Sequence, residues 1–274
     1  MWISQRPQPL KSSVQPGRAH ECNCQVMDTF SELINLLAPS ACPGCGTWDT
    51  RLCPRCTAIA TQTPITTAVN LTGEDVAAVS LGHYVGSLRH LIVAVKHRRG
   101  LRLEPWLRES GRTLGQALLE VVHDASHDGS SRFGGGVNGV EVIAMPSRWR
   151  RQWSGMTVVP HVRDGMAEVL SAHTPVTVHD AVALRWGSGT QSGVSGRERQ
   201  RHRIGAMRWI GDDTLAPSPC ILVDDVMTTG ATLREGARLC QEHGRTVLAV
   251  ATLAVVARRA DRGDDDSAGD VLVG

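Results

Sequence analysis

The run CILVDDVMTTGATL, Cys220 to Leu233, places two adjacent carboxylates after an apolar segment and follows them with hydroxyls and a glycine. Ile221, Leu222 and Val223 read as a buried strand, with Asp224 and Asp225 at its end. Burying unpaired carboxylates is costly, so such a position has to give them a partner. Thr228, Thr229, Gly230, Ala231 and Thr232 then read as a tight turn into the helix TLREGARLCQEHG. A helix N-terminus presents open backbone N–H groups and a favourable dipole, which suits a phosphate. Gly230 lets the backbone approach closely, and the threonines add donors. Acceptors for hydroxyls beside donors for a phosphate fit one kind of ligand, a ribose 5-phosphate.

A second group of residues has metal-binding spacing. Cys42 and Cys45 form one Cys-x-x-Cys pair and Cys53 and Cys56 another, with seven residues between the pairs. Pro43, Gly44, Gly46 and Pro54 allow the chain to turn so that the sulfurs converge. Four thiolates suit a closed tetrahedral Zn²⁺ site that is structural, with no position left for chemistry. A segment this poor in core residues would take its folding free energy from the metal, about 10 kcal/mol. A redox dithiol pair and unused cysteines are the competing readings. Cys22 and Cys24 lie in a polar stretch, either as alternative ligands or with no defined role; Cys220 and Cys240 sit in apolar contexts and read as core.

The elements that must position these residues follow from periodicity. Residues 1–26 are polar and proline-punctuated, a disordered lead-in, and DTFSELINLLAP reads as a short amphipathic helix before the cysteine segment. A threonine-rich linker is expected up to about Asn70. VAAVSLGHY, VEVIAMP, TVHDAVAL, CILVDDV and TVLAVATLAVV read as strands. SLRHLIVAVKH, RTLGQALLEVVHDA, about 159–171 and about 232–243 read as helices. Strands alternating with helices argue for an α/β fold with a parallel sheet covered on both faces. The charged tail 257–274 reads as solvated. A net charge of +2 is too small to imply a nucleic-acid or membrane partner by itself. No apolar run nears the ~20 residues of a membrane span, and the N-terminus lacks the apolar segment of a secretory signal, so a cytoplasmic setting is expected.

ILVDDVMTTGAT resembles the phosphoribosyl-pyrophosphate signature of type I phosphoribosyltransferases. That resemblance makes Asp224 and Asp225 the pair that contacts ribose hydroxyls. It makes Val226, Met227, Thr228, Thr229, Gly230, Ala231 and Thr232 the 5-phosphate loop. Over roughly residues 30 to 256 the chain is similar to the competence protein ComF family, in which a cysteine module precedes a phosphoribosyltransferase domain. Further landmarks are YVGSLRHLIVAVKHRRG, with Tyr84, Gly86, Arg89, Lys96 and Arg98; AMPSRWRR, with Pro146, Ser147 and Arg148 as pyrophosphate-binding candidates; and QSGVSGRER, with Gln191, Ser195 and Arg199. The resemblance implies a type I phosphoribosyltransferase-like domain over 71–256, with its parallel sheet flanked by helices. It also implies a helix, a four-cysteine zinc module and a linker over 27–70, and Mg²⁺ accompanying phosphoribosyl pyrophosphate. Lys96 joins Asp224 and Asp225 as a candidate catalytic residue, and QSGVSGRER is expected to act as a mobile flap.

Where the family carries an Arg-Gly-Phe-Asn/Asp-like run, this chain has RQWSGMTVV. Three functions therefore stand side by side: phosphoribosyl transfer to a nitrogenous acceptor, a nucleotide-sensing regulator that keeps the pocket without turnover, and a non-enzymatic DNA-uptake factor. For the last, DNA or a helicase partner would meet the zinc module and the basic residues Arg197, Arg199, Arg201, Arg203 and Arg208, with Arg185 nearby.

Overall fold

The computed structural model describes residues 41–98, 101–127, 139–146, 158–185, 205–212 and 218–257. The expected helix at 28–39 and the QSGVSGRER segment lie outside them. The framework is a mixed α/β fold around one six-stranded sheet. In chain order the described strands are β1 (Ile65–Leu71), β2 (Glu74–Ser80), β3 (Val140–Ala144), β4 (Val176–His179), β5 (Val182–Leu184), β6 (Met207–Trp209), β7 (Cys220–Met227) and β8 (Val247–Val255). The helices are α1 (Pro54–Thr57), α2 (Gly86–His97), α3 (Glu104–His127), α4 (Val159–Leu170) and α5 (Ala231–Glu242).

The sheet runs β1-β2-β8-β7-β3-β4, and every neighbouring pair but β1/β2 is parallel. β3 and β8 are buried along their whole length, as strands covered on both faces must be. Ile221 and Val223 of β7 pack with α2, α3, α4 and the cysteine segment. Cys220 and Leu222, one residue out of phase, pack with α5 and the β5–β6 ribbon.

Two segments depart from expectation. The threonine-rich stretch before Asn70 is not a linker: Ile65–Leu71 forms β1, antiparallel to β2. Its threonines are what an edge strand with one solvated face carries, since β-branched residues suit a strand and polar ones suit an edge. The hairpin closes through Thr72 and Gly73, both at positive φ, a two-residue turn whose twist matches the strands it joins. TVHDAVAL, expected as one strand, is two: β4 joins the main sheet and β5 leaves it to pair with β6. The cysteine segment falls within the same compact unit as the sheet, Ala41–Gly274. Among the described residues, no helix is long and apolar enough to cross a membrane.

Candidate functional site

The carboxylates lie where the sheet narrows. β3 stops pairing with β7 at Ala144↔Val223, and the Met145 N–H closes that edge on the Val223 carbonyl at 2.8 Å. β7 does not end there. It continues along β8 through Asp224↔Thr252 to Met227↔Val255, so both aspartates lie within the strand, not at its end. The strand alternation sends them to opposite faces. Asp225 shares the face of Ile221 and Val223, where the last turn of α2 brings Lys96 Nζ to 2.6 Å from Asp225 Oδ1. Both side chains are largely buried, 11% and 15% exposed. Asp224 takes the α5 face, and its Oδ1 accepts the Asp225 N–H at 2.8 Å.

On that face the chain forms a small depression, lined by Asp224, Val226, Met227, Thr228, Gly230, Ala231, Thr232 and Leu233. Gly230 adopts a left-handed conformation (φ 71°) and is the N-cap of α5. The N-cap is a glycine, with no side chain to offer, and the first turn of α5 holds no acid, so a threonine N-cap is not the role of TTGAT. The helix opens onto the depression with its backbone donors and its positive dipole end. A Cβ on Gly230 would come within 3.2 Å of Val69 Cγ2, which leaves β1 and the loop in close contact. Arg234, one turn into α5, donates from Nη2 to the Thr229 carbonyl at 2.6 Å and fixes the loop from behind. Sequence reasoning missed Arg234. Its spacing of four from Gly230, one helical turn, was the available signal.

Most of the expected phosphate loop is thus gathered around Asp224. Thr229 is exposed and does not line the depression, and Asp225 with Lys96 stands on the other face. Pro146 follows β3 at the same edge of the sheet; Ser147, Arg148 and Arg199 lie outside the described residues.

The cysteines converge. The sulfurs of Cys42, Cys45, Cys53 and Cys56 all lie within 4.8 Å of one another, and Cys45 and Cys53 approach to 3.4 Å. Tetrahedral Zn²⁺ at ~2.3 Å from each sulfur requires S···S separations of about 3.8 Å, so the set fits a metal ion such as zinc. The thiols differ in acidity. Hydrogen bonds from the Thr47 hydroxyl and backbone, and then from Cys53, pull Cys45 down to about 6. Burial opposes ionisation of Cys42, yet the Cys53, Cys45 and Gly44 amides hold it below the ordinary thiol value. Burial, helped by the neighbouring thiols, pushes Cys56 up to about 12. The segment is tied to the domain core. Trp106 Nε1 of α3 donates to the Cys56 carbonyl at 3.1 Å, and His90 Nδ1 of α2 lies 3.0 Å from the Gly44 carbonyl. Cys220 and Cys240 are fully buried, as expected of core residues.

Among solved structures, the chain is similar to a hypoxanthine phosphoribosyltransferase from Staphylococcus aureus, with 16% identity and a TM-score of 0.28. The match covers 54% of this chain and 61% of that one, less than two thirds of its length. No protein-family model and no curated protein matches the chain.

Proposed function

We propose that the depression at the β7–α5 junction binds the 5-phosphate and ribose of phosphoribosyl pyrophosphate, and that the chain is a type I phosphoribosyltransferase-like protein of the ComF kind. The observation that carries this reading is the α5 N-terminus, which begins at the left-handed Gly230 and opens beside Asp224. The amides of the loop would hold the phosphate, each charge-assisted hydrogen bond contributing about 1.5–3 kcal/mol. Asp224 would accept from a ribose hydroxyl. Mg²⁺ binds through few carboxylates and mostly through substrate phosphates and water, so Asp224 with the ligand's diphosphate would hold it.

In the transfer itself the acceptor nitrogen would form a bond to ribose C1 as the C1–O bond breaks. The electron pair leaves on pyrophosphate, and the acceptor gives up a proton. Positioning and fixed charge would carry the catalysis, with no side-chain nucleophile. Asp225 would differ from Asp224 in its role: tied to Lys96 on the other face of the sheet, it would hold α2 against the sheet edge. That engagement favours a second reading, a protein that binds the ligand as a signal without turnover. The ComF resemblance adds a role in DNA uptake, which salt-dependent DNA binding would test.

The experiment is calorimetric titration of phosphoribosyl pyrophosphate into the zinc-loaded protein, with and without Mg²⁺, in wild type and Asp224→Asn. Magnesium-dependent binding that Asp224→Asn weakens at least tenfold supports the reading, and pyrophosphate release with a base would decide for turnover. Absence of binding by folded wild type removes it.

A further inference from the structure

The four clustered sulfurs are not equally sheltered. Cys42, Cys53 and Cys56 are buried, with 2%, 7% and 0% of their surface exposed. Cys45 is only half-buried, and residues 46–49 that follow it are all exposed. The domain core seals the inner side of the cluster. A Cβ on Gly44 would stand 2.6 Å from Cys56 Sγ and 3.1 Å from Leu91 Cγ of α2, so backbone packs directly against that sulfur. Trp106 of α3 holds the Cys56 carbonyl, and Thr113 of the same helix donates to the Ala60 carbonyl at 2.8 Å. On the outer side, Cys45 Sγ meets the hydroxyl of the exposed Thr47 at 3.0 Å. A metal-bound thiolate has no proton to give, so the hydroxyl is the donor. Cys53 Sγ lies 3.4 Å from Cys45 Sγ.

We propose that Cys45 is a site of oxidation by peroxide, that Cys53 captures the product as a disulfide, and that the reaction expels the metal ion. This rests on the four-cysteine metal site and is independent of the ribose-phosphate reading. The thiolate is the form that reacts, and metal ligation keeps all four sulfurs as thiolates. Exposure therefore decides which of them meets the oxidant, and it selects Cys45.

The chemistry balances with one peroxide. Cys45 Sγ attacks a peroxide oxygen, the O–O bond breaks, and hydroxide leaves, so that Cys45 becomes a sulfenic acid. The Cys53 thiolate then attacks that sulfur. The S–O bond breaks, a second hydroxide leaves with the electron pair, and the S–S bond forms. Two thiolates and one hydrogen peroxide give one disulfide and two hydroxides, with the sulfurs supplying both electrons. Cys42 and Cys56 are then the ligands left, two short of a closed four-coordinate site. The nearness of Cys53 also keeps the oxidation reversible, because a sulfenic acid caught as a disulfide does not go on to sulfinic acid.

The test titrates hydrogen peroxide into the full zinc-loaded chain. A chromophoric chelator reports free zinc, and tandem mass spectrometry locates the disulfides. Trypsin separates the two partners, since Arg51 lies between them and the peptide 52–55 carries Cys53 alone. Cys45→His keeps a ligand at the position but removes the oxidisable thiolate, and thermal melts show whether the variant folds. Thr47→Val leaves all four ligands in place and removes the hydroxyl donor from Cys45 Sγ. Wild type is expected to release one zinc for each Cys45–Cys53 disulfide, and dithiothreitol with added zinc should restore the loaded form. Cys45→His should release zinc at least tenfold more slowly. Thr47→Val should release it at least twice as fast, because a thiolate relieved of a donor is the stronger nucleophile. If Cys45→His does not fold, the Thr47→Val comparison and the position of the first disulfide decide. A first disulfide that excludes Cys45 overturns the proposal. So does release from folded Cys45→His at the wild-type rate, a Thr47→Val rate no faster than wild type, or a chain that takes up no zinc.

Discussion

Replacing Glu141 by Gln should cost the fold far more than a surface change would, and leave the candidate site intact. Glu141 lies in β3 at the amino-terminal edge of the sheet, in register with Cys220 at the start of β7. It is 3% exposed and meets Arg245, itself 2% exposed, with Nε 2.8 Å from Oε2 and 3.1 Å from Oε1. The carboxylate also meets His179 Nε2 at 2.8 Å and the Ser218 N–H at 3.3 Å. Without that carboxylate, the described residues leave the guanidinium the His243 carbonyl at 3.0 Å and the face of Trp209, 4.6 Å away. Arg245 Nη2 is buried with no hydrogen-bond partner among the described residues even in the intact cluster, so none of them stands ready to compensate. Breaking a buried pair by removing one member costs about 3–5 kcal/mol. For a chain of this size that corresponds to about 6–20 °C in Tm. Glu141→Leu/Arg245→Met, which removes both charges, should recover at least half of the loss. Thermal unfolding followed by circular dichroism reads both. A Glu141→Gln shift below about 3 °C, or a double variant no better than the single, would refute the claim that this pair is desolvated and mutually dependent.

Three further outcomes are expected. Gly230→Ala forces a side chain into a left-handed position beside Val69, at about 1–2 kcal/mol; Tm should fall by about 2–8 °C, with ligand binding lost as well. Lys96→Ala removes the 2.6 Å ion pair with Asp225 and should cost about 1–3 kcal/mol. Asp225→Asn should cost much less on top of Lys96→Ala than alone, and a denaturant double-mutant cycle measures the coupling. Metal binding to the four cysteines should release protons, Cys56 above all, since its thiol is pushed up to about 12. Affinity should therefore weaken as pH falls, by about tenfold per pH unit for each proton displaced; competition with a chromophoric chelator at two pH values measures this.

The parallel core was legible because its strands are apolar on both faces, and VEVIA and TVLAVATLAV have little polar alternation to confuse them. The cysteine cluster was legible from spacing alone. β1 was not, because an edge strand rich in threonine has the composition of a linker, and the turn that would have marked the hairpin is Thr-Gly, not the commoner Asn-Gly or Asp-Gly. The division of labour between Asp224 and Asp225 was hidden for a related reason. Adjacent residues in sequence read as a pair, and only the continuation of β7 along β8 shows that the strand pleat separates them. The Glu141–Arg245 pair joins residues 104 positions apart, a distance over which a single sequence gives no signal.

The central claim is that a phosphate sits on the α5 N-terminus beside Asp224. Backbone amide NMR during titration with phosphoribosyl pyrophosphate and Mg²⁺ tests it most directly. The account predicts saturable shifts at Thr228–Thr232 that weaken in Asp224→Asn. Saturable shifts elsewhere with these amides unmoved, or no shifts at all, would contradict it.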